Sequence, residues 1–195
     1  IPLKKISSVT TKFKKLSTLT GLIVLALLFM SAPALADEYY DISDYAVELN
    51  AMTDHSYQVT ETIQVQFHQP RHGIYRSIPV DYNGKNRKIT DIRVEGYESD
   101  INRDGRNVVI RIGSEDIFVE GNQTYRISYI FHAGEDFIPE YDEVYWDLIG
   151  SEWNATISQA RFMIHLPKDF DAKGIQIFSG AYGGRDNTAA DFNVE

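Results

Sequence analysis

The stretch Tyr57-Gln-Val-Thr-Glu-Thr-Ile-Gln-Val-Gln-Phe67 decides how the chain is read. One parity carries Tyr57, Val59, Glu61, Ile63, Val65 and Phe67; the other carries Gln58, Thr60, Thr62, Gln64 and Gln66. Successive side chains of a strand leave on opposite faces, so this period of two turns an apolar face to a core and a polar face to water. It predicts a half-buried antiparallel strand.

Outward from it the pattern recurs. Residues 39–49 alternate through Tyr45, Val47 and Leu49, and residues 50–56 are turn chemistry, which predicts a hairpin into the deciding strand. Residues 69–73 are expected to break that strand. An extended segment over 74–82 follows, which Pro79 confines to an edge or a loop, before the Asn83-Gly84 turn. Residues 88–97 alternate imperfectly through Ile89, Ile92 and Val94. Residues 99–105 read as a turn, and Val108, Ile110 and Ile112 share a face. Gly121-Asn122 is expected to turn the chain into a strand holding Tyr125, Ile127, Tyr129 and Phe131. Residues 134–154 have no period and hold both tryptophans. Alternation returns over 160–166 through Phe162 and Ile164 until Pro167, and weaker strand patterns lie at 175–178 and 191–194. Short strands separated by Gly, Asn and Asp turns predict an all-β fold: an antiparallel β-sandwich, immunoglobulin-like or related.

The first 36 residues read as a signal peptide. Lys4, Lys5, Lys12, Lys14 and Lys15 form a basic, acid-free start, and residues 22–30 are uninterruptedly apolar. Pro33 then precedes Ala34-Leu35-Ala36, a small-x-small cleavage pattern ahead of Asp37. The apolar run falls short of the roughly 20 residues that span a bilayer, so cleavage is expected over retention as an anchor. Residues 37–195 are then one extracytoplasmic domain, ending at 191–195 in what reads as mid-strand, as in a fragment of a longer protein. Cleavage removes five of the 19 Lys and Arg and no acid, taking the net charge from −9 to −14. So acidic a surface repels nucleic acid and reads as solubility outside the cell. The chain has no cysteine. Disulfide staples and thiol chemistry are therefore excluded, which suits a bacterial surface protein held by its core alone.

Glu61 is the one polar residue on the apolar face of the deciding strand. An unpaired carboxylate there would be costly, so it needs a rim position or a partner. Arg76, among the apolar residues of Gly73-Ile-Tyr-Arg-Ser-Ile-Pro79, is the cation expected to form a structural ion pair with it. Asp100-Ile-Asn-Arg-Asp-Gly105 matches half a calcium loop, but Arg111 stands where a bidentate Glu is required, so it reads as a polar turn. His68 and His72 are spaced for zinc, yet Pro70 between them forbids the helix that would present both. No metal and no cofactor are expected. Glu135, Asp136, Glu140, Asp142 and Glu143 crowd one segment with Phe137, Tyr141, Tyr145, Trp146 and Trp153. Carboxylates beside exposed rings suit sugars. The plainer reading is an acidic loop whose rings Tyr145, Trp146 and Trp153 plug the end of the domain. The sequons at Asn122 and Asn154 matter only in a eukaryotic host.

Several segments resemble the YciQ-like predicted membrane proteins of bacteria, a family catalogued as a domain of unknown function. They are Tyr45-Ala-Val-Glu-Leu49, Val59-Thr-Glu61, Gly73-Ile-Tyr-Arg-Ser-Ile-Pro79, Ile112-Gly113, Tyr125-x-Ile-x-Tyr129, Tyr145-Trp-Asp-Leu-Ile-Gly-x-x-Trp153 and Leu166-Pro167. Asp147 stands where the family pattern leads one to expect Asn. The resemblance implies an exported β-rich domain ahead of transmembrane helices, and it carries no catalytic residues.

The expectation is thus a non-enzymatic binding or structural module on the extracellular face of the cell membrane. Its partner would be an envelope component or a protein, and its membrane attachment would lie downstream of residue 195. The alternative is a carbohydrate-binding or carbohydrate-active domain using the 134–154 loop, with Glu140, Asp142, Tyr145, Trp146 and Trp153.

Overall fold

The structure is a computed structural model that describes residues 39–82, 84–134, 144, 146–150 and 152–167. The leader, the strand patterns at 175–178 and 191–194, and Glu140, Asp142 and Tyr145 lie outside the described residues. Those described form strands β1 (Tyr40–Ala51), β2 (Ser56–Arg71), β3 (Ile74–Pro79), β4 (Asp81–Tyr82), β5 (Lys85–Asn86), β6 (Lys88–Glu95), β7 (Ser99–Arg103), β8 (Asn107–Ile112), β9 (Val119–His132) and β10 (Ala160–His165). No helix occurs among them.

The deciding stretch lies within β2, the middle strand of a five-stranded sheet ordered β10-β1-β2-β9-β6. A three-stranded sheet is ordered β3-β8-β7, and β4 and β5 form a two-stranded hairpin. Val59, Glu61, Ile63 and Val65 are buried, and so are Tyr45, Val47 and Leu49 of β1 and Tyr125, Ile127, Tyr129 and Phe131 of β9. Alternation works because the register is kept: Val47, Glu61 and Ile127 stand opposite one another across β1, β2 and β9. Ile74 and Ile78 of β3 and Val108, Ile110 and Ile112 of β8 enter the same buried cluster.

Two irregularities blur the period. In β1 the register passes from Ile42 opposite Val65 to Asp44 opposite Gln64. Ser43 is the extra residue, so Ile42 and Tyr45 both face the core. In β6 the register shifts between Thr90 and Arg93, and Asp91 there takes φ 54°. That bulge is why residues 88–97 alternate only in part.

Four expectations need correction. First, β10 pairs with β1 in parallel, so the larger sheet is not wholly antiparallel. Its residues are also mostly exposed, Phe162 less so. Second, Ser99–Arg103 is strand β7, not turn; its backbone pairs with β8, while all five residues are exposed and Ile101 alone is apolar, so no alternation marks it. Third, Gly121-Asn122 lies inside β9, opposite Phe67 and Gln66 of β2. Fourth, β2 does not stop at Gln69 but continues exposed through Pro70 to Arg71 after a register shift. Pro79 does end an edge strand, β3.

Between β3 and β8 two glycines permit a close backbone approach. Gly73 (φ 117°) and Gly113 (φ 129°) face each other beyond the Ile74–Ile112 pair. A Cβ on Gly73 would run into the Ile112 carbonyl, and one on Gly113 into the His72 carbonyl. Both conformations are ones that L side chains rarely adopt.

Candidate functional site

β2 turns Glu61 inward, with Val47 and Ile127 directly opposite on either side. The same-face diagonal neighbours are Tyr45, two residues along β1 from Val47, and Tyr129, two residues along β9 from Ile127. From the other sheet, β3 alternates Ile74, Arg76 and Ile78 inward. Arg76 therefore reaches Glu61 across the interior, and the two residues are 1% and 0% exposed.

The pairing is bidentate. Arg76 Nε donates to Glu61 Oε2 at 2.7 Å, and Nη2 donates to Oε1 at 2.8 Å. The Tyr45 hydroxyl donates to Oε2 at 2.6 Å and the Tyr129 hydroxyl to Oε1 at 2.7 Å. Arg76 Nη1 donates to the Ser77 carbonyl at 2.6 Å. Burial alone would push the Glu61 carboxyl up, but the Arg76 guanidinium and the two tyrosine donors hold it below its ordinary value. Burial and then the Glu61 carboxylate push both phenols well above theirs, so they stay protonated donors. Burial acts against the Arg76 charge, and Glu61 more than restores it.

A carboxylate offers about four lone-pair directions. All four are taken here, and none faces water. Such a group has no free site for a metal, a substrate proton or an attacking water, as a general base needs. What it can do is bind β3 to β2 in one register.

Gly150 and Trp153 cover the pair. Asp147 Oδ1 accepts the Gly150 N–H at 3.1 Å, which closes a turn. Gly150 then lies against the guanidinium: an added Cβ would stand 2.9 Å from Arg76 Nη1. The Trp153 indole donates to the Ile149 carbonyl at 3.0 Å and meets the Tyr45 ring edge-on at 5.6 Å. The Arg76 guanidinium carbon is 5.7 Å from the Trp153 ring centre. The Trp146 ring packs edge-on at 4.1 Å from Phe131 and 5.9 Å from Tyr57. Both tryptophans are partly buried against the core.

The other polar clusters resolve into local structure. Asp104 Oδ1 accepts the backbone N–H of Asn107 at 2.8 Å, capping the β7–β8 turn. His68 pairs with Asp41 at 2.8 Å, whereas His72 Nδ1 donates to the Ser114 carbonyl at 3.1 Å. Among the described residues no three His, Asp or Glu stand together as a metal would require. An open depression of about 340 Å³ lies on the outer face of β3-β8-β7, lined by Tyr75, Asp100, Asn102, Arg111 and Glu115 among others. Sequence reasoning names Glu61 and Arg76 but misses Tyr45 and Tyr129 as their partners. Their parity was the available signal, since both stand on apolar faces beside the strand that carries the acid.

A family profile described as the N-terminal domain of a predicted membrane protein (DUF2207) matches residues 41–193. The chain belongs to this family. Two of the segments that carry the resemblance, Gly73–Pro79 and the one holding Gly150 and Trp153, meet at Arg76. No curated protein matches the chain. Among solved structures, an M1 zinc metallopeptidase from Deinococcus radiodurans is 13% identical at a TM-score of 0.31, covering 51% of this chain and 21% of that one. Native leukotriene A4 hydrolase from Saccharomyces cerevisiae is 9% identical at a TM-score of 0.35, covering 54% and 18%. The chain thus spans about a fifth of the length of these enzymes, and likenesses this slight assign it neither fold nor activity.

Proposed function

We propose that residues 37–195 form the extracytoplasmic module of a membrane-anchored protein, and that the module is not an enzyme. It is an immunoglobulin-like or related sandwich whose layers are the five- and three-stranded sheets, exported by the leader and held to the membrane through a segment downstream. It binds an envelope or protein partner or serves structurally, and takes no cofactor and no nucleic acid. One observation carries this reading: Glu61, the single buried carboxylate among the described residues, is saturated by Arg76, Tyr45 and Tyr129 and serves as a strut. Trp146 and Trp153 support it, because their rings pack against the core rather than standing out for a sugar. The one shared buried cluster and the Arg76 bridge support the layered arrangement.

Two measurements test the reading. Impermeant amine labelling of intact cells should modify this domain at exposed lysines such as Lys88, and no labelling would place it elsewhere. Glycan-array binding that disappears in a still-folded Trp146→Ala variant would replace this reading with a carbohydrate-binding one.

A further inference from the structure

We propose that β7 is a docking edge, which takes an extended segment of a partner protein, alternating apolar and basic side chains, as a further strand beside it. This narrows the partner-binding role proposed above and rests on it. β7 is an outer strand of the β3-β8-β7 sheet. Two backbone bonds fix which of its groups face outward: the Gly113 N–H donates to the Glu98 carbonyl at 2.8 Å, and the Asp104 N–H to the Asn107 carbonyl at 3.2 Å. Bonded and non-bonded pairs alternate along an antiparallel ladder, so Asp100 and Asn102 turn their backbone groups to β8. Ser99, Ile101 and Arg103 turn theirs away. Asn102 Oδ1 accepts the Arg103 N–H at 2.8 Å, whereas no group among the described residues meets the backbone of Ile101.

Bare edges are commonly blunted by proline or a bulge. Pro79 stands at the end of β3, and Asp91 breaks the register of β6. β7 has neither device, and its register with β8 runs unbroken from Ser99 to Arg103. The two faces of β7 specify the occupant. On the core side Ile101 stands opposite buried Ile110 yet is 47% exposed, so an apolar side chain beside it would complete its cover. On the outer side Asp100, Asn102, Asp104 and Glu115 line the depression. Arg111 there is already paired with Glu115 at 3.2 Å, which leaves Asp100 without an ion pair among the described residues. A lysine or arginine opposite Asp100 supplies the missing charge, and main-chain bonds to the bare edge supply the rest of the affinity. A second copy paired about Ile101 would set Asn102 against Asp100 instead of a cation, and would bring two acidic chains together.

The probe is a fluorescent synthetic peptide of alternating lysine and valine, titrated into the 195-residue chain and read by anisotropy. Saturable binding is expected, severalfold weaker to Asp100→Asn and absent for a glutamate–valine peptide. Methylating one alternate set of peptide nitrogens should abolish binding, and methylating the other set should not, because only one set faces β7. Ile101→Pro removes an outward donor and no bond of the β7–β8 ladder; it should keep the parent urea midpoint and lose the peptide. No saturable binding, equal binding of the acidic peptide, or equal effects of the two methylations overturns the docking edge, and so does a folded Ile101→Pro variant that binds as the parent does. Self-association of the chain that Ile101→Pro abolishes overturns it in favour of a second copy. These failures leave the extracytoplasmic placement standing, since the amine labelling of cells decides that alone.

Discussion

Gly150 lies against Arg76 so closely that an added Cβ would stand 2.9 Å from Nη1, and its backbone takes φ 78°. The arginine is thereby enclosed from both directions: Glu61 holds it from within the core, and Gly150 and Trp153 cover it. Distant parts of the chain are tied at one charge. Asp147 closes the turn that delivers Gly150, and Trp153 lays its ring over the guanidinium. The enclosure explains why residue 150 is glycine, since a side chain there would meet the guanidinium.

Alanine at three glycines should rank by what the new Cβ meets. Gly96 (φ 77°) has open space around it, so Gly96→Ala should cost only the left-handed backbone, about 1–2 kcal/mol. Gly150→Ala adds contact with a side chain that is itself pinned, and should cost more. At Gly73 the obstacle is the Ile112 backbone, which cannot move without breaking the β3–β8 ladder. Gly73→Ala should be the worst, and urea midpoints that fail to follow this order would count against the packing described.

Tyr125 and Tyr129 leave β9 on the same face and are equally buried, yet their hydroxyls have opposite surroundings. Tyr129 donates to a carboxylate, whereas the Tyr125 hydroxyl is buried without a hydrogen-bond partner. Tyr129→Phe should therefore cost about 1.5–3 kcal/mol, the range for bonds to charged groups. Tyr125→Phe removes an unsatisfied polar atom and should be neutral or stabilising. Equal losses in the two variants would contradict this.

Much of this fold is legible in the sequence, for reasons specific to its strands. The deciding segment of β2 shows its faces because one parity is apolar and the other is Gln and Thr. β7 shows nothing, because Ser99, Asp100, Ile101, Asn102 and Arg103 all lie exposed and are held only by backbone pairing. Gly121-Asn122 carries turn chemistry, yet pairing with β2 overrides it. The bulge at Ser43 shifts the period, so no single alternation describes β1. At the site, an acid on an apolar face announces a partner, and an arginine between isoleucines is a natural candidate. The tyrosines are harder. A tyrosine on a core face reads as a ring, and the target of its hydroxyl is a diagonal neighbour that only register reveals.

High pH should loosen the domain through Tyr45 and Tyr129. Both phenols are raised above their ordinary value, by burial first and by Glu61 second. In the unfolded chain they ionise near pH 10, roughly the model-peptide value. Their contribution is complete below that point and declines as pH climbs toward the folded-state values. Replacing both with Phe should flatten the alkaline slope of stability, and an unchanged slope above roughly pH 10 would exclude them as its source.

Low pH should act through Glu61. Its carboxyl is lowered in the folded state, since the Arg76 charge and the tyrosine donors outweigh burial. The unfolded carboxyl titrates near 4.3, a rough reference value, so it takes up protons before the folded one does. The stabilisation is complete above that value and is lost as pH falls through the lower folded pKa. Glu61→Gln leaves a buried guanidinium without its counter-charge and should cost about 3–5 kcal/mol at neutral pH. Glu61→Leu combined with Arg76→Met removes both charges, and should recover most of that loss because well-packed apolar pairs often replace buried ion pairs at little cost. The double variant should also show a shallower fall in urea midpoint between pH 5 and pH 3, roughly the range that spans the unfolded pKa. If it falls as steeply as the parent, some other carboxylate governs acid stability, and the pair at the centre of this domain is not its acid-sensitive joint.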